Sequence, residues 1–156
     1  WEERDRGLYE EEVYLKQFQE LDPQDAEDIE KVIKGSGQTI RKRPYADTWV
    51  KYLKSKGYHV YILSNYSSYM LDHTKKELTF RREMEGEVFS CYAKQLKPDA
   101  EIYQTILNKY QLKPEECVFI DDRPENCKGA QEQGIHTICF KDFKQVTADL
   151  EKLGVK

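Results

Sequence analysis

At 156 residues the chain can build one domain with a real core, or one core with a small accessory unit. Charged residues are 35% and aromatics 12% of the sequence, which excludes a disordered chain and fits a globular one. The net charge of −4, with both signs interspersed, leaves no basic footprint for nucleic acid. No apolar run approaches the roughly 18 residues of a membrane span.

Residues 1 to about 40 read as polar helices. Leu8, Val13, Tyr14, Phe18 and Leu21 recur near helical spacing. Asp22-Pro23 closes that segment and opens another over about 24–34, and Gly35-Ser36-Gly37 reads as a breaker. From Arg43-Pro44 onward the pattern alternates between helix and strand. A helix is predicted over 45–56, with Trp49, Val50 and Leu53 on one face and Gly57 closing it. A strand over 58–63, a helix over 67–77 and a short strand over 88–92 follow. Next come a helix over 99–110 with Ile102, Tyr103, Ile106 and Leu107 inward, and a strand over 117–120. A helix over 125–133 stopped by Gly134, a strand over 136–140 and a helix over 142–153 complete the chain. Strands separated by helices predict right-handed βαβ units and a parallel sheet. The expected fold is therefore α/β, a Rossmann-like three-layer arrangement with helices on both faces of a parallel sheet.

The segment Cys117-Val118-Phe119-Ile120-Asp121-Asp122-Arg123-Pro124-Glu125-Asn126 carries the strongest chemical signal. An apolar strand ends in two adjacent carboxylates, and ligands of open α/β sheets bind just beyond the carboxyl ends of strands. Two carboxylates there form a hard-oxygen site suited to Mg²⁺; the bland alternative is a solvated loop with a helix cap. Upstream, the run Tyr58-His59-Val60-Tyr61-Ile62-Leu63 ends in Ser64-Asn65, and Gln95-Leu96-Lys97-Pro98-Asp99 opens a helix. A hydroxyl, a lysine and a carboxylate pair at three element ends can together hold a phosphoryl group.

These motifs, LSN at 63–65, KPDAEIY at 97–103 and VFIDDRPEN at 118–126, resemble the haloacid dehalogenase-like hydrolase superfamily, and among its members the small phosphatases with a helical cap. The resemblance runs from about Arg41 to the C-terminus and, more loosely, over the helices before it. It implies that residues 1–40 belong to a helical cap and 41–156 to a hydrolase core. It implies that Ser64 binds the transferring phosphoryl group, that Asn65 joins Ser64 and Lys97 in binding the substrate, and that Lys97 bridges the nucleophile and the phosphoryl oxygens. Asp121 would ligate Mg²⁺, Asp122 would support the metal shell or Lys97, and Asn126 would orient the acidic loop. The family also places a nucleophilic aspartate at the end of a first strand. Asp5, Asp22, Asp25, Asp28 and Asp47 follow no apolar run, so that central first strand and its nucleophile are expected to be absent from these 156 residues. The chain alone is then expected to be inactive.

Other residues receive blander readings. His59 and His136 begin strands at the end away from the site and His73 sits in a helix, so none is placed for acid–base work. Lys94, three residues before Lys97, stands where many relatives of the family carry glycine. Arg41-Lys42-Arg43 and Arg81-Arg82 read as solvated runs before phosphate contacts. Cys91, Cys117, Cys127 and Cys139 show no C-x-x-C spacing, which argues against zinc or redox motifs. Reduced thiols in a cytoplasmic protein are expected.

The leading expectation is Mg²⁺-dependent hydrolysis of a small organophosphate, such as a sugar phosphate, through an aspartyl-phosphate intermediate in the complete protein. A haloacid dehalogenase needs no carboxylate-rich metal site, and a phosphomutase would differ only in cap contacts. A non-catalytic fragment or pseudoenzyme that binds phosphate ligands is the alternative of a different class. A phospho-receiver module is disfavoured by motif order, since its acidic pair precedes its lysine. No nucleic-acid or membrane partner is expected, and oligomeric state is left open.

Overall fold

The computed structural model describes residues 2–155. Helices α1 (Glu2–Arg6), α2 (Glu11–Leu21) and α3 (Ala26–Gly35) come first. Gly7, at φ +67°, breaks the chain between α1 and α2. The expected breaker at Gly35-Ser36-Gly37 does not stop the helical path. Gly35 closes α3, and residues Ser36–Thr39 continue as a 3₁₀ turn. The Ser36 hydroxyl donates to the Ile33 carbonyl at 2.7 Å, satisfying an end-of-helix acceptor.

The alternating part contains α4 (Ala46–Ser55), β1 (Tyr61–Ser64), α5 (Ser68–His73), β2 (Gly86–Phe89), α6 (Ser90–Ala93) and α7 (Ala100–Tyr110). It continues with β3 (Val118–Asp121), α8 (Pro124–Glu132), β4 (His136–Cys139) and α9 (Phe143–Lys152). Gly57, at φ +86°, follows α4, and Tyr58 N–H returns to Leu53 O at 3.1 Å, a glycine-type helix stop. Ser67 caps α5 by accepting the Met70 N–H at 3.2 Å.

Two strands sit differently from the sequence expectation. The first begins at Tyr61 rather than Tyr58. The second ends at Phe89, and 90–93 turn into α6 rather than continuing as strand. A short apolar run does not by itself distinguish strand from helix; pairing decides here. β1 and β2 are parallel in the register Tyr61↔Gly86 to Ser64↔Phe89. Gly86 lies against the Tyr110 ring, where a Cβ would collide, and Tyr110 Oη bonds Glu87 N at 2.8 Å and Glu87 O at 3.1 Å.

β3 and β4 form a second parallel pair, Val118↔His136 to Asp121↔Cys139. β1 and β3 do not pair with each other, so the strands form two separate two-stranded sheets among the described residues. Side chains alternate between faces, as the strand period of two requires. Tyr61, Leu63, Val88 and Phe119 pack with Ile102, Tyr103, Ile106 and Leu107 of α7 and Ala130 of α8. Ile62 points the other way, to Leu71 of α5, while Val118 and Ile120 meet Trp49 of α4 and Val146 and Leu150 of α9. Helices thus cover both faces, and the α7–α8 layer joins the two strand pairs in one core. Parallel strands put Ser64, Phe89, Asp121 and Cys139 at a common carboxyl-end edge.

Candidate active site

Lys97 stands at the centre of that edge. Its Nζ donates to the Leu63 carbonyl at 3.1 Å and to Asp121 Oδ2 at 2.5 Å. It also lies 5.3 Å from the Phe119 ring centroid. The two charged side chains are only 8% and 7% exposed, so the pair is shielded from water. One ammonium therefore ties the end of β1 to the end of β3. The lysine is itself clasped by Asn65: Lys97 N–H donates to Asn65 Oδ1 and Asn65 Nδ2 donates to Lys97 O, both at 2.9 Å. Both ends of the Asn65 amide are thus committed to the backbone of Lys97.

The acidic loop is held just as closely. Asp121 Oδ1 accepts the Arg123 N–H and Asn126 Nδ2, each at 2.9 Å. Pro124 starts α8, where its missing N–H costs nothing and its ring fixes φ. Tyr103 Oη donates to Asn126 O at 2.7 Å, anchoring that first turn from below. Cys127, the next residue, has its thiol pushed up to about 11, chiefly by burial, with Cys139 and Asp121 adding to the effect. It stays a neutral thiol at physiological pH. Gly129 lets α8 approach the lysine loop. A Cβ there would stand 2.5 Å from the Pro98 carbonyl oxygen and 3.0 Å from Pro98 Cβ. Gly129→Ala is expected to cost about 1–3 kcal/mol of stability, read as a lower urea midpoint. An unchanged midpoint would count against the close approach.

A carboxylate has about four acceptor positions, and protein donors take three of those on Asp121. Asp122 is exposed, and among the described residues no group hydrogen-bonds its carboxylate. Asn126 is 3% exposed, and its Oδ1 is buried with no donor among the described residues. These are hard-oxygen acceptors. They fit Mg²⁺, which is commonly held by one or two carboxylates with waters and substrate phosphate oxygens completing the shell. No group of three metal-binding His, Cys, Asp or Glu side chains occurs among the described residues. Ser64, the last residue of β1, is half-buried at the same edge.

His59 and His136 are exposed, and His73 stacks on Tyr69 at 3.9 Å. Lys42 pairs with Asp47 at 2.5 Å, and Arg81 makes a two-pronged pair with Glu87. Lys94 adopts φ 59°, the left-handed conformation that glycine takes without strain, and its Nζ donates to the Gly7 carbonyl. The sequence reading missed Ser90. It follows the apolar pair Val88-Phe89 at the carboxyl end of β2, the same signal that marked Ser64, and the overextended strand concealed it.

A buried lysine–carboxylate pair and a half-buried serine stand at the carboxyl ends of parallel strands, in a protein that is α/β by fold. The haloacid dehalogenase-like hydrolase family model matches residues 2–134, and the chain belongs to that family. The chain is 27% identical over 158 residues to flavin mononucleotide hydrolase 1, chloroplastic, of Arabidopsis thaliana, covering 99% of this chain. It is 31% identical over 107 residues, 65% of the chain, to bifunctional epoxide hydrolase 2 of Rattus norvegicus. It spans 62% of the length of the first relative and 19% of the second. A haloacid dehalogenase family enzyme of Bacteroides thetaiotaomicron, solved with magnesium and inorganic phosphate, superimposes with a TM-score of 0.75 at 24% identity. That match covers 92% of this chain and 77% of that one, and it shows the shared fold. No helix among the described residues is long and apolar enough to cross a membrane.

Proposed function

We propose that this chain is the major part of a Mg²⁺-dependent phosphatase acting on a small organophosphate of sugar-phosphate size. The observation that carries the reading is Lys97, buried between the Leu63 carbonyl and the Asp121 carboxylate at the strand ends, beside Ser64. Lys97 neutralises phosphoryl oxygens, and Ser64 donates its hydroxyl to one of them. Asp121 and Asp122 hold the metal, which supplies charge stabilisation to the phosphoryl group when bound. Asn126 and the Arg123 N–H keep Asp121 in place, and Asn65 keeps Lys97 in place. Residues 1–40 serve as part of a cap over a core formed by 41–156. The names of the Arabidopsis relative and of a sesquiterpene phosphatase of Aspergillus oryzae, 23% identical over 154 residues, support a phosphate ester as substrate.

The nucleophile in this reading is an aspartate on a strand that fits between β1 and β3 and is not among these 156 residues. The separation of the two strand pairs supports this. In the complete protein, hydrolysis of p-nitrophenyl phosphate and of sugar phosphates is expected to require Mg²⁺ and to stop with EDTA. Lys97→Ala should lower kcat/KM by about 10²-fold or more, the scale of losing one preorganised charge-stabilising donor. Turnover that ignores EDTA, or that survives Lys97→Ala unchanged, overturns the reading.

A further inference from the structure

Ser90 is completely buried, at 0% exposure, yet it is a small polar residue directly after β2. Its Oγ accepts the Tyr66 N–H at 2.8 Å, and its hydroxyl donates to the Asp5 carbonyl, with the Tyr66 carbonyl 3.5 Å away. One hydroxyl thus joins three segments: the loop after β1, the start of α6 and the end of α1. The Asp5–Gly7 stretch is seated on the lysine loop by further contacts. Lys94 Nζ donates to the Gly7 carbonyl, and Arg6 reaches the Lys94 carbonyl at 3.5 Å and Asp99 at 3.4 Å. The fit is close, because a Cβ on Gly7 would stand 2.9 Å from Cys91 Cα.

Tyr66 adjoins Asn65, whose amide clasps both backbone groups of Lys97. A path of direct hydrogen bonds therefore leads from Asp5 through Ser90 to Tyr66, and across one peptide to Asn65 and Lys97. We propose that Ser90 is a positioning residue that locks the Ser64–Tyr66 loop, and through Asn65 the lysine, to the N-terminal helix. It touches no reacting atom. Its removal leaves the Tyr66 N–H and the Asp5 carbonyl without their partner, a loss that falls on the loop rather than on the core. The catalytic consequence rests on the phosphatase reading above; the structural consequence does not.

Amide hydrogen exchange in the 156-residue chain tests the lock directly. Ser90→Ala is expected to speed exchange at the Tyr66 and Lys97 amides by about tenfold or more, the scale of one lost buried hydrogen bond. The Ile106 and Leu107 amides of α7 should keep their rates. Ser90→Cys, close in size but a weaker donor and acceptor, should fall between serine and alanine. Unchanged Tyr66 and Lys97 amides overturn the proposal. So does equal acceleration of all amides, which would make Ser90 a general packing residue. In the complete protein, Ser90→Ala should lower kcat for p-nitrophenyl phosphate about tenfold with KM nearly unchanged. A KM effect alone would contradict a lock on Lys97. Absence of turnover in the wild-type protein would refute the phosphatase reading and leave the exchange result to decide the lock.

Discussion

Asp121→Ala is expected to destabilise the chain by about 3–5 kcal/mol, because it strands a buried ammonium. Lys97 is only 8% exposed at its side chain, and Asp121 is its carboxylate partner. Without that partner the charge faces one carbonyl, Leu63 O at 3.1 Å, and the Phe119 ring. The loss is a large share of a typical total stability of about 5–15 kcal/mol. Asp121→Asn should be milder, since the amide oxygen still accepts from Arg123 N–H or Asn126 Nδ2, but it also removes the charge. The double variant Lys97→Met, Asp121→Leu should recover most of the stability, because an apolar pair of similar volume replaces a buried ion pair at little cost. Urea unfolding of the wild type, the single variants and the double variant measures this directly. If the double variant is as unstable as Asp121→Ala, the pair is not the buried unit described. All these variants should lack phosphatase activity in the complete protein. A recovered fold without recovered turnover would separate the structural from the chemical role of the pair.

The 156-residue chain by itself is expected to show no Mg²⁺-dependent phosphatase activity. A longer chain that also carries the strand proposed to fit between β1 and β3 should turn over at an ordinary enzymatic rate, about 1–10³ s⁻¹. The reason is geometric. Among the described residues β1 pairs only with β2, and β3 only with β4, so each strand keeps one edge outside any ladder, in a parallel arrangement that is normally buried. A strand inserted there would satisfy both edges and bring a carboxylate toward Lys97, Ser64 and the acidic loop at once. Assaying the two proteins side by side with p-nitrophenyl phosphate decides the matter. Robust turnover by the bare chain would show that an aspartate within these residues serves as nucleophile. Amide exchange offers a second view, in which the inner-edge amides of β1 and β3 should become protected in the extended protein.

Local chemistry made much of this protein legible. The α7 helix was readable because Ile102, Tyr103, Ile106 and Leu107 repeat with the helical period, and all four are buried. The acidic loop was readable because an apolar run ending in Asp121-Asp122 before Pro124 has few other uses at a strand end. Strand limits were not readable in the same way. An apolar stretch such as 88–92 suits strand and helix alike, and only pairing with β1 stopped β2 at Phe89 and turned Ser90 into a buried joint. Nor does spacing reveal that Asn65 spends its amide on Lys97, or that Lys97 and Asp121 form a shielded pair. Those contacts join residues 32 and 24 positions apart. Sequence fixes which groups stand at the strand ends, because periodicity and turn residues act over a few positions. Which of those groups touch, and which are shut away from water, is set by how parallel strands and the α7–α8 layer bring distant ends to one edge.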